Sequence, residues 1–340
     1  MTTPIQPAIT PVRLLQFSWG FAVPLMVEAA IRHRLFDVLE RGARTAAALA
    51  AETATSERGV RALLNALTSI ELLSKDGEGR YSLTAESALF LVSTKPSFVG
   101  GAFEHATAQL IPRWLALGEV VRTGQPARHV DSDASSGARF HDFVEHIFPN
   151  SYPAARALAD ALVSEAGDAP LRVLDVGAGS GVWGIALAQR SPRVRVTAVD
   201  WPQVLEATLR VATRFGVGDR VETRAGDFFE IDFGRDYQVA VLGQILHSFG
   251  ENRSRALLAK VRQALAPGGA VVIAEFLVDE ARAAQTNGLI FAVNMLVNTE
   301  EGDTYSFSEI AGWLEKAGFE NVRTMEAPGP APLILATRAR

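Results

Sequence analysis

Gly177, Gly179 and Gly181 fall at alternate positions in "VGAGSG", directly after the apolar run Arg172–Val176 and its single acid, Asp175. A chain that sheds its side chains just past a strand makes a tight turn whose backbone a ligand can touch. A dinucleotide loop would space its glycines G-x-G-x-x-G, to set a pyrophosphate on the next helix N-terminus. Here the spacing is G-x-G-x-G, and an acid at the strand end is poor company for phosphate. It suits a cationic amino group; the plainer alternative is a tight turn with no ligand.

Two further acids extend the pattern. Asp200 ends the next apolar run, Val194–Asp200, at the distance where a carboxylate accepts both hydroxyls of a ribose. One run later, "AGDFF" sets Asp227 before Phe228, an acid and an aromatic fit to hold and stack an adenine. An amino acid, a ribose and an adenine without phosphates describe S-adenosylmethionine. His247 follows the run Tyr237–Gly243, at the edge where a reacting group would lie. Imidazole titrates near neutrality and so suits proton removal from a weakly acidic hydroxyl. The alternative is a histidine that caps the next helix. His141 and His146 read as packing or surface residues.

These residues need a frame. From Leu171 onward, strand runs alternate with helical stretches: Arg172–Val176, Val194–Asp200, Arg220–Gly226, Tyr237–Gly243 and Ala270–Phe276, closed by "ENVRTME" and "PLILATRAR". The alternation predicts an α/β, Rossmann-like, doubly wound and mostly parallel seven-stranded sheet with its ligand beyond the carboxyl ends of the strands. Residues 1–165 read as helices, apart from the short alternating segment "DGEGRYSLT". Helices and one β-wing form a winged-helix-like pattern, which serves either DNA or a scaffold and dimer. Arg58, Lys75 and Arg80 are too sparse to track phosphates. The expected boundary divides the chain into 1–165 and 166–340, with "GQPARHVDSDASSGARF" as an exposed loop, a helix from Phe140 to Glu165 and "AGDAP" as hinge.

Bulk properties narrow the classes. The 340 residues allow two domains, and 48% hydrophobic against 21% charged residues suits a packed core. A net charge of −5 disfavours nucleic acid or an anionic membrane as partner. With no cysteine there is no disulfide, thiol nucleophile or thiolate metal site. The N-terminus lacks a basic region ahead of an apolar run, and no window holds 18 uninterrupted apolar residues. A cytoplasmic location, without a membrane, is the expectation.

"VLDVGAGSG", "AVDWP", "AGDFF", "ILHSFGEN" and "ALAPGGAVVIAE" occur in this order. Together they resemble the motifs of class I S-adenosylmethionine-dependent methyltransferases, in particular the small-molecule O-methyltransferases of plants and bacteria that include caffeate and acetylserotonin enzymes. The resemblance spans nearly the whole chain, most strongly Arg172 to Phe319. It implies a helical N-terminal dimerisation domain, a homodimer, and a small acceptor, aromatic or heteroaromatic. It sets Asp175, Gly177 and Gly179 at the methionine end of S-adenosylmethionine, Asp200 on the ribose with Trp201 beside the adenosine, and Asp227 and Phe228 on the adenine. Gly243 and Gln244 would lie beside the sulfonium. His247 takes the place of the family's catalytic base, with His-Ser-Phe where Asp-Trp usually follows, and Glu275 that of the glutamate orienting it. The second family glutamate falls at Thr304, beside Asp303, so the usual His-Glu-Glu arrangement is in question. Carbon or nitrogen methylation, and a winged-helix regulator that binds S-adenosylmethionine without turnover, stay open as alternatives; a nicotinamide dehydrogenase is disfavoured by the glycine spacing.

In such enzymes the helix over "NGLIFAVNMLVNTEEG" walls the acceptor pocket. Its i, i+3, i+4, i+7 positions are Phe291, Asn294, Met295 and Asn298. The asparagines either read polar substituents or meet water. Phe148, Asn150 and Tyr152 would close the cleft. No metal site is expected.

Overall fold

The computed structural model describes residues 9–127 and 134–340, and the side chains of all of these except 134–143 and 146. The side chains of His129, His141 and His146, and part of the loop expected over 124–140, lie outside the described residues. The chain forms two compact units, Met1–Leu110 and Ile111–Arg340.

The first unit contains α1 (Val12–Phe17), α2 (Ala22–Arg32), α3 (Leu35–Glu40), α4 (Ala46–Glu52), α5 (Glu57–Ser69), β1 (Leu73–Lys75), β2 (Tyr81–Leu83), α6 (Ala85–Phe90) and α7 (Gly100–His105), followed by a π-helical turn, Ala106–Leu110. Hydroxyl N-caps set the helix starts: Thr45, Ser56 and Thr84 each accept a backbone N–H of the first turn. α2 and α3 are separate helices because the chain turns at Arg34, whose φ of 57° no helix interior accommodates. Leu73–Lys75, just ahead of "DGEGRYSLT" and within the stretch read as helical, instead pairs with Tyr81–Leu83 as the wing. The core gathers Val27, Phe36, Leu49, Leu64, Leu67 and Tyr81. Outside it, Leu14, Leu15, Phe17 and Trp19 are exposed, each above 60%. Val12–Arg32 is long and apolar enough to cross a membrane by length and composition, but Val27, Glu28 and Ala30 within it are buried in the protein.

The second unit begins with α8 (Ile111–Trp114), α9 (Leu117–Thr123) and α10 (Ala134–Ala166). It continues as β3 (Leu171–Val176), α11 (Val182–Arg190), β4 (Val194–Asp200), α12 (Pro202–Arg214), β5 (Val221–Ala225), β6 (Tyr237–Gly243), α13 (Glu251–Ala264), β7 (Leu265–Ala274), α14 (Thr286–Asn298), α15 (Phe307–Lys316), β8 (Phe319–Met325) and β9 (Leu333–Arg338). The seven strands run in the order β5-β4-β3-β6-β7-β9-β8, parallel except for β9, which is antiparallel to both neighbours. Continuous apolar runs, such as the fully buried Val239–Leu242, mark strands covered on both faces.

Three element boundaries differ from expectation. α10 starts at Ala134, ahead of Phe140. α13 stops at Ala264 and β7 begins at Leu265, ahead of the expected Ala270, so the Pro-Gly-Gly of "ALAPGGA" lies within the strand, which closes one residue before Glu275. Finally, α10 stays with the sheet unit: Ala155, Leu158, Ala159 and Leu162 share one core with Ile185 and Leu187 of α11 and Val211 of α12. The compact units therefore divide at 110/111, whereas the sequence suggested 165/166.

Candidate active site

The strand order puts β3 at the switch point, between β4 and β6, so the loop after β3 opens on the crevice where a doubly wound sheet binds its ligand. Gly177, Gly179 and Gly181 all adopt positive φ, 66°, 55° and 75°, which side chains rarely take without strain. The loop is pinned to β4: Gly177 and Ala178 N–H donate to Val199 O, at 2.9 and 3.1 Å. Gly179 N–H donates to Asp200 Oδ2 at 2.9 Å, while Asp200 Oδ1 accepts from Trp201 N–H at 2.7 Å. Burial raises the Asp200 carboxyl to about 6, against the opposing pull of those two N–H groups.

Asp175 is fully enclosed. Its Oδ2 accepts Gly184 N–H at 3.0 Å and fastens the first turn of α11, while Oδ1 is buried without a hydrogen-bond partner in the protein. Burial is the chief reason its carboxyl is raised to about 7, with the Asp200 charge adding to it. A buried carboxylate oxygen facing no donor is what a cationic amino group would satisfy. The expected methionine end of S-adenosylmethionine thus fits this crevice, and Asp200, on the β4 side, stands where its ribose would come.

Further along, Asp227 Oδ1 accepts Phe229 N–H at 2.8 Å, which turns the chain sharply after β5. Phe228 packs on Phe229 at 5.0 Å and edge-on to Phe249 at 5.8 Å, and Arg253 lies over Phe229 and Phe249. On the far side of β3, Gly243 ends β6 and Gln244 follows with φ 58°, an uncommon conformation for a non-glycine residue, held by its N–H bond to Ala274 O at 2.7 Å.

His247 stands in a short 3-10 turn after β6, and Glu275 one residue beyond β7, on neighbouring parallel strands. His247 Nδ1 meets Glu275 Oε2 at 2.7 Å; Glu275 Oε1 accepts the N–H groups of Leu246 and His247 at 2.8 and 3.2 Å. A carboxylate in contact with a neutral imidazole accepts from Nδ1, and that tautomer leaves Nε2 its lone pair. Both residues are buried. Phe291 sits edge-on to the imidazole at 4.9 Å and stacks on Phe276 at 4.1 Å.

Neither residue at the second glutamate position supplies a carboxylate to the imidazole. Thr304 is buried with Oγ1 unpaired among the described residues, and the Asp303 carboxylate is 3.6 Å from Arg282. Asp303 contributes through its backbone, donating N–H to His247 O at 3.0 Å.

Other expected pocket residues are engaged elsewhere. Asn298 is buried; its Oδ1 accepts from Arg113 at 2.7 Å, and its Nδ2 donates to Asn294. Asn294 Oδ1 accepts the Trp114 indole N–H at 3.0 Å. The pair anchors α8 to α14. Phe148 stacks on Tyr152 and Phe215, at 5.0 and 4.7 Å, Tyr152 is tilted against Phe215 at 5.7 Å, and Tyr152 OH donates to Gln189 Oε1, which packs α10 on α11 and α12; Asn150 is exposed. Among the described residues of α10, Val144 reaches the glycine loop, buried with Val204 and Ala207 and packed on Trp201. Sequence periodicity carries no sign of it, since its partners are distant in the chain. No group of three or more His, Asp or Glu side chains is arranged to hold a metal ion among the described residues.

Comparison with known proteins shows the family. The profile of the O-methyltransferase domain matches residues 159–320, and that of the O-methyltransferase dimerisation domain residues 15–93. The 3-hydroxy-5-methyl-1-naphthoate 3-O-methyltransferase of Streptomyces sahachiroi is 33% identical over 97% of this chain and 96% of its own. Among solved structures, a Nostoc punctiforme protein assigned as an O-methyltransferase superposes with a TM-score of 0.88, at 30% identity over 98% of this chain and 100% of that one. PigF, solved with S-adenosylhomocysteine, gives 0.82 at 26% identity, over 97% and 100%. The chain belongs to the S-adenosylmethionine-dependent O-methyltransferases, enzymes that transfer a methyl group to a hydroxyl oxygen.

Proposed function

We propose that this enzyme methylates a phenolic hydroxyl of a planar aromatic acceptor, with His247 as general base, Glu275 as its positioning residue, and two copies of the chain forming the working dimer. The observation that carries the base assignment is the 2.7 Å contact between His247 Nδ1 and Glu275 Oε2. It leaves Nε2 as the only basic atom of the ring, beside two aromatic rings suited to a flat substrate. Bound S-adenosylmethionine supplies an electrophilic methyl group. The protein must then hold the acceptor oxygen in line, exclude water and take its proton. Phe276, Phe291 and Met295 serve as the apolar wall, and Nε2 takes the proton. Asp175, Gly177, Gly179, Asp200, Trp201, Asp227, Phe228, Gly243 and Gln244 hold the cofactor. An aromatic acceptor is supported by the hydroxynaphthoate named for the Streptomyces sahachiroi relative.

The dimer reading rests on the exposed Leu15, Phe17 and Trp19, which lie inside the segment matching the dimerisation domain and which a second copy would cover. The test of the base is His247→Ala. Turnover on a panel of hydroxyarenes, read as S-adenosylhomocysteine release, should fall about 10²- to 10⁴-fold, while calorimetric affinity for S-adenosylhomocysteine stays unchanged. A variant that keeps most of its turnover would remove the base from the mechanism.

A further inference from the structure

Trp183 occupies the first turn of α11, which Asp175 fastens through Gly184 N–H. Its side chain is buried, 4% exposed, and its indole edge presses on Gly243 so closely that a Cβ there would stand 2.0 Å from Nε1. No real Cβ tolerates that approach, so Trp183 can take this place only because residue 243 is glycine. The indole N–H makes no hydrogen bond among the described residues, and, unlike Asp175 Oδ1, it is not wholly enclosed, so a group entering the site can reach it. An indole nitrogen only donates, so what it binds there must be an acceptor.

Its position says what that something is. Leu242 pairs with Val176, so Gly243 lies alongside the start of the glycine loop, on the β6 side of β3. Asp200 lies on the opposite, β4 side. If the ribose is at Asp200, the amino-acid end of the cofactor lies toward Gly243 and Trp183. That end carries an ammonium, a sulfonium and a carboxylate. An N–H edge repels the two cations and bonds the anion. Asp175, with its unpaired Oδ1, is suited to the ammonium and equally unsuited to the carboxylate.

We infer that the Trp183 indole N–H is a binding group for the carboxylate of the cofactor's amino-acid end, admitted to the site by Gly243. The inference rests on the cofactor placement proposed above and adds a residue to it. Trp183→Phe keeps an aromatic ring and removes the donor. Its affinity for S-adenosylhomocysteine, by calorimetry, should fall about 10- to 100-fold, the worth of a hydrogen bond to a charged group. Its affinity for the decarboxylated analogue, which keeps the amine and lacks the carboxylate, should stay as in the wild type. Gly243→Ala, which displaces the indole, should show the same selective loss, and the double variant little more than either alone.

If Trp183→Phe does not fold, the wild type still decides. With its other four tryptophans assigned by Trp→Phe variants, the remaining indole N–H resonance should move downfield on adding S-adenosylhomocysteine and stay in place with the decarboxylated analogue. Equal affinity of Trp183→Phe and wild type for S-adenosylhomocysteine, or an equal loss for both ligands, overturns the inference and leaves the cofactor placement standing. A wild type that binds neither ligand refutes the placement itself, and the inference with it.

Discussion

Glu275→Gln separates positioning from mere packing, because the structure fixes what each carboxylate oxygen does. Oε1 holds the N–H groups of Leu246 and His247, and an amide oxygen can keep both. The amide nitrogen then faces Nδ1 where Oε2 stood, at a contact of 2.7 Å. Two donors cannot share that contact, so the imidazole must accept from the amide and move its proton to Nε2. In that tautomer the atom facing the acceptor hydroxyl has no lone pair. Reaching the productive tautomer sacrifices a buried hydrogen bond and leaves a donor unpaired, about 1–3 kcal/mol. At 1.4 kcal/mol per decade, turnover should fall about 10- to 100-fold, less than for His247→Ala. KM and S-adenosylhomocysteine affinity should hold, since the backbone anchors survive. Raising the pH until the acceptor hydroxyl ionises in solution should close the gap to wild type, because an ionised oxygen needs no base. Unaltered turnover at neutral pH refutes the reasoning. So does a loss matched by weaker cofactor binding, which would mark Glu275 as a scaffold residue only.

Asp200→Ala should weaken S-adenosylhomocysteine binding about 100-fold or more, since two ribose hydroxyls lose a charged acceptor; calorimetry with less than a tenfold change would contradict the ribose placement. In the wild type, the same affinity should decline as the pH falls through about 6, where Asp200 gains its proton, and a flat profile would argue against this. For Asp175 the folded carboxyl is raised to about 7, so its contribution to stability is complete below its unfolded range and lost as pH rises through neutrality. Thermal melts without ligand should therefore show Asp175→Asn faring best relative to wild type at alkaline pH; a pH-independent difference would contradict the shift. Light scattering should give a dimer mass for the wild type and a monomer for Trp19→Asp, and a wild-type monomer at micromolar concentration would exclude the proposed assembly.

The sheet was legible because each strand announces itself locally. Val194–Asp200 and Tyr237–Gly243 are apolar runs ended by an acid or a glycine, and their observed bounds coincide with the expected ones. The glycine loop and Asp200 were legible for a related reason: positive φ and a strand-end carboxylate each demand a particular residue type at a particular place. What escaped is non-local. Asn294 and Asn298 have the right spacing for a pocket wall, yet Arg113 and Trp114, about 180 residues earlier, engage them. Phe148 reads as a hinge aromatic until Phe215 is found against it. Local composition also hides the chain's turn at Arg34, which is left-handed, and the early start of β7 at Leu265, whose partner Tyr237 comes earlier in the chain. Trp183 looks like an ordinary core residue of α11; only its fit against Gly243 distinguishes it.

The strand order also has a kinetic meaning. β3, β4 and β5 pair with sequence neighbours through single helical crossovers, as do β6 and β7, while β8 and β9 pair as adjacent antiparallel strands. The joints between these three pieces, β3 with β6 and β7 with β9, close much longer loops and so carry the larger entropic cost during folding. The first joint divides the chemistry. Asp175, the glycine loop, Asp200 and Asp227 belong to one piece; Gly243, His247 and Glu275 belong to the other. Each piece can form its own hairpins and crossovers early, yet neither then has both the proposed place for the methyl donor and the proposed base. Recovery of activity after dilution from denaturant should therefore lag behind recovery of helical signal. Cofactor present during refolding should act at this seam, where a ligand touching both pieces shifts the balance toward the joined state by mass action.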